Sequence, residues 1–192
     1  MNMLEKIVDE VSGAVAAAVR GVDDVLDALT DTVKNQVVGA LQDVGDIAGA
    51  GVETVASVAS GAIKGASQVG GSVVDTAAGT MSGVIKGVSQ VGGDVGGAIR
   101  GAAQGIVQGT AETGGDVGGA AVGAVQSAIK SAGEMGADTA EAAKAAVGGA
   151  LDAATTVGGD ATQTVRDALL SAAALPRDVI ESVLKGSDED KK

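Results

Sequence analysis

Cysteine, histidine, phenylalanine, tyrosine and tryptophan are all absent from this chain of 192 residues, and it holds a single proline. Without cysteine there is no disulfide framework and no thiolate chemistry, so the sequence gives no sign of a redox compartment. Without histidine or cysteine the usual zinc ligands, the imidazole base and the thiolate nucleophile are gone. No phosphate-cradling GxxxxGK[ST] sequence occurs, and no serine or lysine is singled out by a partner. The reading is therefore a non-enzyme with no cofactor and no metal. Basic residues are scarce: 13 against 25 acids, a net charge of −12. That disfavours nucleic acid, whose affinity rests on Lys and Arg neutralising phosphates. It also disfavours anionic membranes, which attract basic segments. Long apolar runs are missing as well. The longest uncharged stretch, Val117 to Ile129, has 13 residues, short of the roughly 20 needed to span a bilayer. Met1 to Val11 carries Glu5, Lys6, Asp9 and Glu10, which is not a signal-peptide pattern. The expected location is the cytoplasm, with a place at the periphery of a membrane or lipid body as the alternative.

What is present is a repeat of 22 residues. Gly70-Gly71 recurs as Gly92-Gly93, Gly114-Gly115, Gly136-Ala137 and Gly158-Gly159, and eight units tile residues 4–179 without a gap. Twenty-two is two elevens, and eleven residues make three turns of helix at about 3.67 residues per turn. Each unit therefore presents the same faces. Positions 12 and 16 of the unit are mostly aliphatic: Val15, Val19, Val37, Leu41, Ile63, Met81, Ile85, Val107, Val125, Ile129, Val147 and Leu151. Spacings of three and four mark an amphipathic helix, not a strand.

A second face is small. Gly61 and Gly65, then Gly79, Gly83 and Gly87, then Gly101, Gly105 and Gly109, then Gly115, Gly119 and Gly123 are spaced by four, so each set stacks on one side of a helix. An interior glycine costs about 1 kcal/mol of helix propensity against alanine. Close approach of a second backbone would offset it. A third, polar face carries Lys34, Arg100, Lys144 and Arg166 at one position and Arg20, Lys64, Lys86 and Lys130 at another. Mixed with acids, these read as a solvated face with weak ion pairs.

The expected fold is all-α: a Gly/Ala-rich repeat of long amphipathic helices, packed as hairpins or a bundle through small-residue faces. Leu4 to Val44 lacks a Gly-Gly pair and reads as one helix, so residues 1–44 form the first segment. The Gly-rich repeat region is 45–175, read as long helices that run through some of the glycine pairs, with breaks near Gly45–Gly51 and at one of the later pairs; the alternative is a stack of antiparallel helices of about 18 residues that turn at the pairs. Pro176 ends the repeat helix and opens a short one over 176–185. The polar 186–192 reads as a frayed tail. Ser72…Asp75, Asp138…Glu141 and Asp160…Gln163 have capping-box spacing.

Stretches such as TAAGTMSGVIKGVSQVGGDV (76–95) resemble the eleven-residue amphipathic repeats of late-embryogenesis-abundant proteins, and those of the lipid-surface perilipins, apolipoproteins and synucleins. The resemblance is one of pattern over nearly the whole chain. It implies helices that fold on lipid or on drying. The present chain is richer in glycine, more apolar, and has few lysines at the polar border, which favours protein–protein packing. It also resembles long alanine-rich helical antifreeze proteins. That resemblance implies a candidate ice-facing row at Thr32, Thr54, Thr76 and Thr164, which share position 7. The expected role is a structural protein whose partner is itself, as bundle, oligomer or filament. A coat on zwitterionic or neutral lipid, or a stress-protection protein, is the alternative, and ice binding a further one.

Overall fold

The computed structural model describes residues 3–20, 25–44 and 50–189, and all of its regular structure there is helical. The helices are α1 (Met3–Arg20), α2 (Val25–Val44), α3 (Ala50–Gln68), α4 (Val73–Gln90), α5 (Val95–Glu112), α6 (Val117–Glu134), α7 (Thr139–Val157), α8 (Ala161–Ser171) and α9 (Arg177–Glu189). Each of α4 to α7 occupies one repeat. The helices do not run through the pairs that mark the repeat, which corrects that expectation: 70–71, 92–93, 114–115, 136–137 and 158–159 are chain reversals between helices. The single helix expected over 4–44 is likewise two, α1 and α2, which pack against each other; residues 21–24 between them lie outside the described residues. The expected break over 45–51 lies largely outside the described residues.

The glycine pairs stop helices by a left-handed residue. Gly70, Gly92, Gly114, Gly136 and Gly158 have φ of 77°, 71°, 69°, 71° and 78°. At four of these ends the next residue reaches back across the turn. Gly71 N–H donates to Ala66 C=O (3.0 Å), Gly93 to Val88 (3.0 Å), Gly115 to Thr110 (2.9 Å) and Ala137 to Ala132 (2.9 Å). This is the double-bonded C-terminal cap that satisfies orphan carbonyls. Ala137 shows that at these four turns only the first residue of the pair is required by φ to be glycine, whereas at the fifth Gly159 also has a positive φ, of 58°. The helical phase survives the turns because each unit restarts at the same residue, not because a helix runs on.

The next helix starts two residues later. Ser72 Oγ accepts from Asp75 N–H (3.4 Å), Asp116 Oδ1 from Gly119 N–H (3.0 Å), and Asp138 Oδ1 from Ala140 and Glu141 N–H (2.8 and 3.1 Å). Such caps satisfy first-turn donors. Asp160, expected to do the same, has helical backbone angles and makes no side-chain cap bond, because Gly158 and Gly159 both take positive φ and deliver the chain differently. Pro176 C=O accepts from Val179 and Ile180 N–H (3.1 and 3.2 Å) and opens α9. α8 has already ended at Ser171. α9 continues to Glu189, so the expected frayed tail is helical through residue 189 and the remainder lies outside the described residues. One interior glycine, Gly186, costs only about 1 kcal/mol and does not end it.

Consecutive helices form hairpins, and each helix packs most extensively on the one two places away: α1 on α3, α3 on α5, α5 on α7, and α2 on α4, α4 on α6, α6 on α8. Odd helices make one layer and even helices the other. α9 lies against α7 and α8. The aliphatic positions meet between the layers. Val15, Val37, Met81, Ile85, Val107, Val125 and Val147 are completely buried, Leu41, Ile63 and Leu151 nearly so, and Ile129 packs on the same core. The Val19 side chain lies outside the described residues. With no aromatic residue, a thin core of Val, Ile and Ala is sufficient because the helices stack so closely within each layer.

Candidate functional site: stacked glycine interfaces

The arrangement that recurs through the molecule is a backbone-to-glycine contact between stacked helices. A Cβ placed on Gly61 would lie 2.8 Å from Val8 O, on Gly83 2.6 Å from Thr30 O, on Gly87 3.0 Å from Lys34 O, on Gly101 2.6 Å from Val52 O, and on Gly123 2.9 Å from Val74 O. At Gly65, Gly105 and Gly149 it would overlap the carbonyl oxygens of Ser12, Ala56 and Arg100. Gly109 faces the Ser60 backbone at 3.0 Å. The glycine Cα–H therefore points at a carbonyl of the preceding stacked helix, a weak hydrogen bond worth about 0.5–1 kcal/mol. No other residue type permits that approach. Two hydroxyls reinforce the stacking: Thr30 Oγ1 donates to Gly79 O (3.4 Å) and Ser127 Oγ to Ala78 O (2.7 Å).

Two of the expected packing glycines do something else. Gly115 belongs to the α5–α6 turn, where a Cβ would meet Thr110 Cγ2 at 2.9 Å, and Gly119 makes room for its own capping carboxylate, Asp116, at 2.6 Å. Gly149 is a further packing glycine: it shares its place in the repeat with Gly61, Gly83 and Gly105, but stands between Ala145 and Ala153, outside any four-residue glycine spacing.

The register differs along the array. In the repeat frame Gly61, Gly83 and Gly105 are equivalent, yet Gly61 and Gly83 meet the fifth residue of the earlier unit (Val8, Thr30) and Gly105 meets the ninth (Ala56). The α1–α2 hairpin is thus seated one turn out of step with the rest. Its helix boundary also falls earlier in the repeat: α1 ends at Arg20 and α2 begins at Val25, whereas α4 ends at Gln90 and α5 begins at Val95.

The candidate ice-facing threonines share no exposed plane, which corrects that expectation. Thr54 and Thr76 are buried. Thr76 Oγ1 donates to Ser72 O (2.7 Å), and the half-buried Thr32 Oγ1 to Ala28 O (2.7 Å). Thr54 also belongs to the odd layer and the others to the even one. Position 7 sits beside the packing glycines, so small residues there serve the helix contact; only Thr164, on α8, is exposed.

The outer faces are polar. On the odd layer Lys64 pairs with Glu112 across α3 and α5 (2.5 Å), and Arg100 with Asp152 across α5 and α7 (2.6 Å). Between these pairs lies an open cleft of about 540 Å³, lined by Gln104, Gln108, Thr156, Val157 and three alanines beside the two acids. All four charges are substantially exposed, so each pair contributes at most about 1 kcal/mol. Among the described residues no three His, Cys, Asp or Glu side chains gather as metal ligands, and no helix is long and apolar enough to cross a membrane.

No family model matches the chain, and no curated protein matches it. Among solved structures, the crystal structure of a de novo designed helical repeat protein, DHR7, is similar over 96% of this chain and 96% of that one, with a TM-score of 0.51 and 14% sequence identity. At that identity the likeness concerns the fold alone. The chain has an all-α helical repeat fold, in which stacked two-helix units each bury a face on their neighbours.

Proposed function

We propose that this is a non-enzymatic structural repeat protein, a self-packed helical array that acts through its length and its polar outer faces. The observation that carries the reading is the use of the glycine faces. The faces of Gly61, Gly65, Gly83, Gly87, Gly101, Gly105, Gly109, Gly123 and Gly149 are filled by a carbonyl-bearing ridge of the same chain, so the close packing that these glycines require is met within one molecule, as an intramolecular bundle. Self-association into an oligomer or filament is then not needed to cover them. The polarity of α1 and α9 supports the reading: α1 shows Glu5, Lys6, Asp9 and Glu10 to solvent, and α9 shows Arg177, Asp178, Glu181 and Lys185.

The lipid-coat alternative requires the aliphatic stripe to leave the core and lie in an interface. Far-UV circular dichroism at low micromolar concentration, with and without zwitterionic vesicles, separates the two. Strong helicity in plain buffer, unchanged by vesicles, is expected. A disordered spectrum that turns helical on lipid would replace the structural reading by the surface coat.

A further inference from the structure

We propose that the groove along α4, in the even layer, binds a small zwitterion: an ammonium and a carboxylate separated by a short aliphatic spacer. The groove has a volume of about 430 Å³ between α2, α4 and α6, the size of a small-molecule site. Its lining is ordered along α4. Asp75, Ala78, Gly79, Ser82 and Lys86 all line it, and their spacings of three and four keep them on one face of the helix. An acid therefore stands at one end, small residues in the middle, then a hydroxyl and a base. The Cα atoms of Asp75 and Lys86 are about 16 Å apart along the axis, and side chains that lean inward shorten the gap between the charges. Ala78 and Gly79, with Gly123 of α6 and the exposed Val74, give the spacer an apolar floor.

An independent observation marks the basic end. Ser131 of α6 is only 4% exposed and lines the groove, yet its hydroxyl bonds to no described residue. Two other hydroxyls of the same groove are used: Ser127 Oγ donates to Ala78 O (2.7 Å) and Thr30 Oγ1 to Gly79 O (3.4 Å). Alternate helices run the same way, so one turn beyond the Ser127–Ala78 contact Ser131 comes level with Ser82. The Ser82 hydroxyl likewise bonds to no described residue. A buried hydroxyl is costly to leave unbonded, and a carboxylate seated here accepts from both serines and from Lys86. The charges sort in the same sense. Lys130 and Glu134 pair with each other on α6 (4.0 Å) and cancel. Lys86, Asp75 and Asp27 of α2 also line the groove and pair with no described residue. A simple anion meets those two acids and the net charge of −12. A simple cation leaves Lys86, Ser82 and Ser131 unused. A zwitterion finds a partner at both ends.

Titration of the intact, isotope-labelled protein with ε-aminocaproate, followed by two-dimensional NMR, tests the site. Caproate and hexylamine, each with one of the two charges, are the comparators. The expected result is saturable binding of ε-aminocaproate, at least about tenfold tighter than either comparator, because each comparator forfeits one charge-assisted end. Ser131→Ala and Lys86→Gln should each weaken that binding by about tenfold. Lys144→Gln, the same loss of charge at an exposed residue of α7, should leave it unaltered. Absence of saturable binding overturns the proposal, and so does a comparator that binds as tightly. Binding that Ser131→Ala and Lys86→Gln leave unchanged, or that Lys144→Gln weakens equally, overturns it as well. If a variant loses its helical spectrum, the comparison of the three probes on the parent protein decides alone.

Discussion

Replacing a packing glycine by alanine sets two effects against each other, and the structure says which wins at each site. Alanine gains about 1 kcal/mol of helix propensity over glycine wherever its methyl has room. Gly39, on α2, has nothing within 4 Å of where that methyl would go, so Gly39→Ala should stabilise by about 0.5–1 kcal/mol. At Gly105 the methyl would overlap the Ala56 carbonyl, and the Ala56 Cα lies within 2.9 Å. Those atoms are backbone of a buried helix and cannot swing aside, so α3 and α5 must separate. Overpacking of this kind costs about 1–3 kcal/mol, which cancels or outweighs the propensity gain. The two variants should differ by about 1–3 kcal/mol in urea unfolding followed by far-UV circular dichroism, and Gly105→Leu should fare worse than Gly105→Ala. In a chain of this length 1 kcal/mol moves Tm by about 2–4 °C, so melts resolve the difference too. Equal stabilisation by Gly39→Ala and Gly105→Ala would mean that the glycine row is not a packed face, and the stacking account would fall.

Other perturbations have equally definite outcomes. Gly92→Ala forces a methyl into φ of 71° and should cost about 1–2 kcal/mol in urea unfolding, whereas Gly136→Ala beside the natural Ala137 should cost as much and exchanging Ala137 for glycine almost nothing. Asp138→Ala removes two cap bonds and should lower stability by about 0.5–2 kcal/mol; Asp160→Ala, which removes no side-chain cap bond, should be the milder by thermal melt. The Thr80 hydroxyl is buried without a hydrogen-bond partner, so Thr80→Val should raise the urea midpoint, since an unsatisfied buried hydroxyl costs about 1–3 kcal/mol. Asp152→Asn breaks an exposed pair with Arg100 and should change stability by no more than about 1 kcal/mol, an effect that 1 M salt should erase.

The faces of the helices were legible in the sequence because side-chain period and helix period coincide: the aliphatic row from Val15 to Leu151 and the glycine rows were both read from spacing. Helix ends were harder. A Gly-Gly pair in phase with its neighbours fits a continuous helix and a turn equally well, and only the positive φ of Gly70 and its equivalents separates them. The partner of each glycine face was illegible for a different reason. Periodicity shows that a face repeats but not what fills it. Here the filler is the backbone of the helix two units earlier, which no local pattern encodes. The threonine row misled because sharing a repeat position means sharing an azimuth on one helix, not a plane across two layers.

The glycine interfaces among the described residues are filled by the chain itself. Sedimentation velocity over a wide concentration range, with circular dichroism on the same samples, tests it most directly. The account predicts a strongly helical monomer of 18.2 kDa whose helicity does not change on dilution. Helicity that appears only as the protein associates, and is lost when it dilutes to single chains, would contradict it.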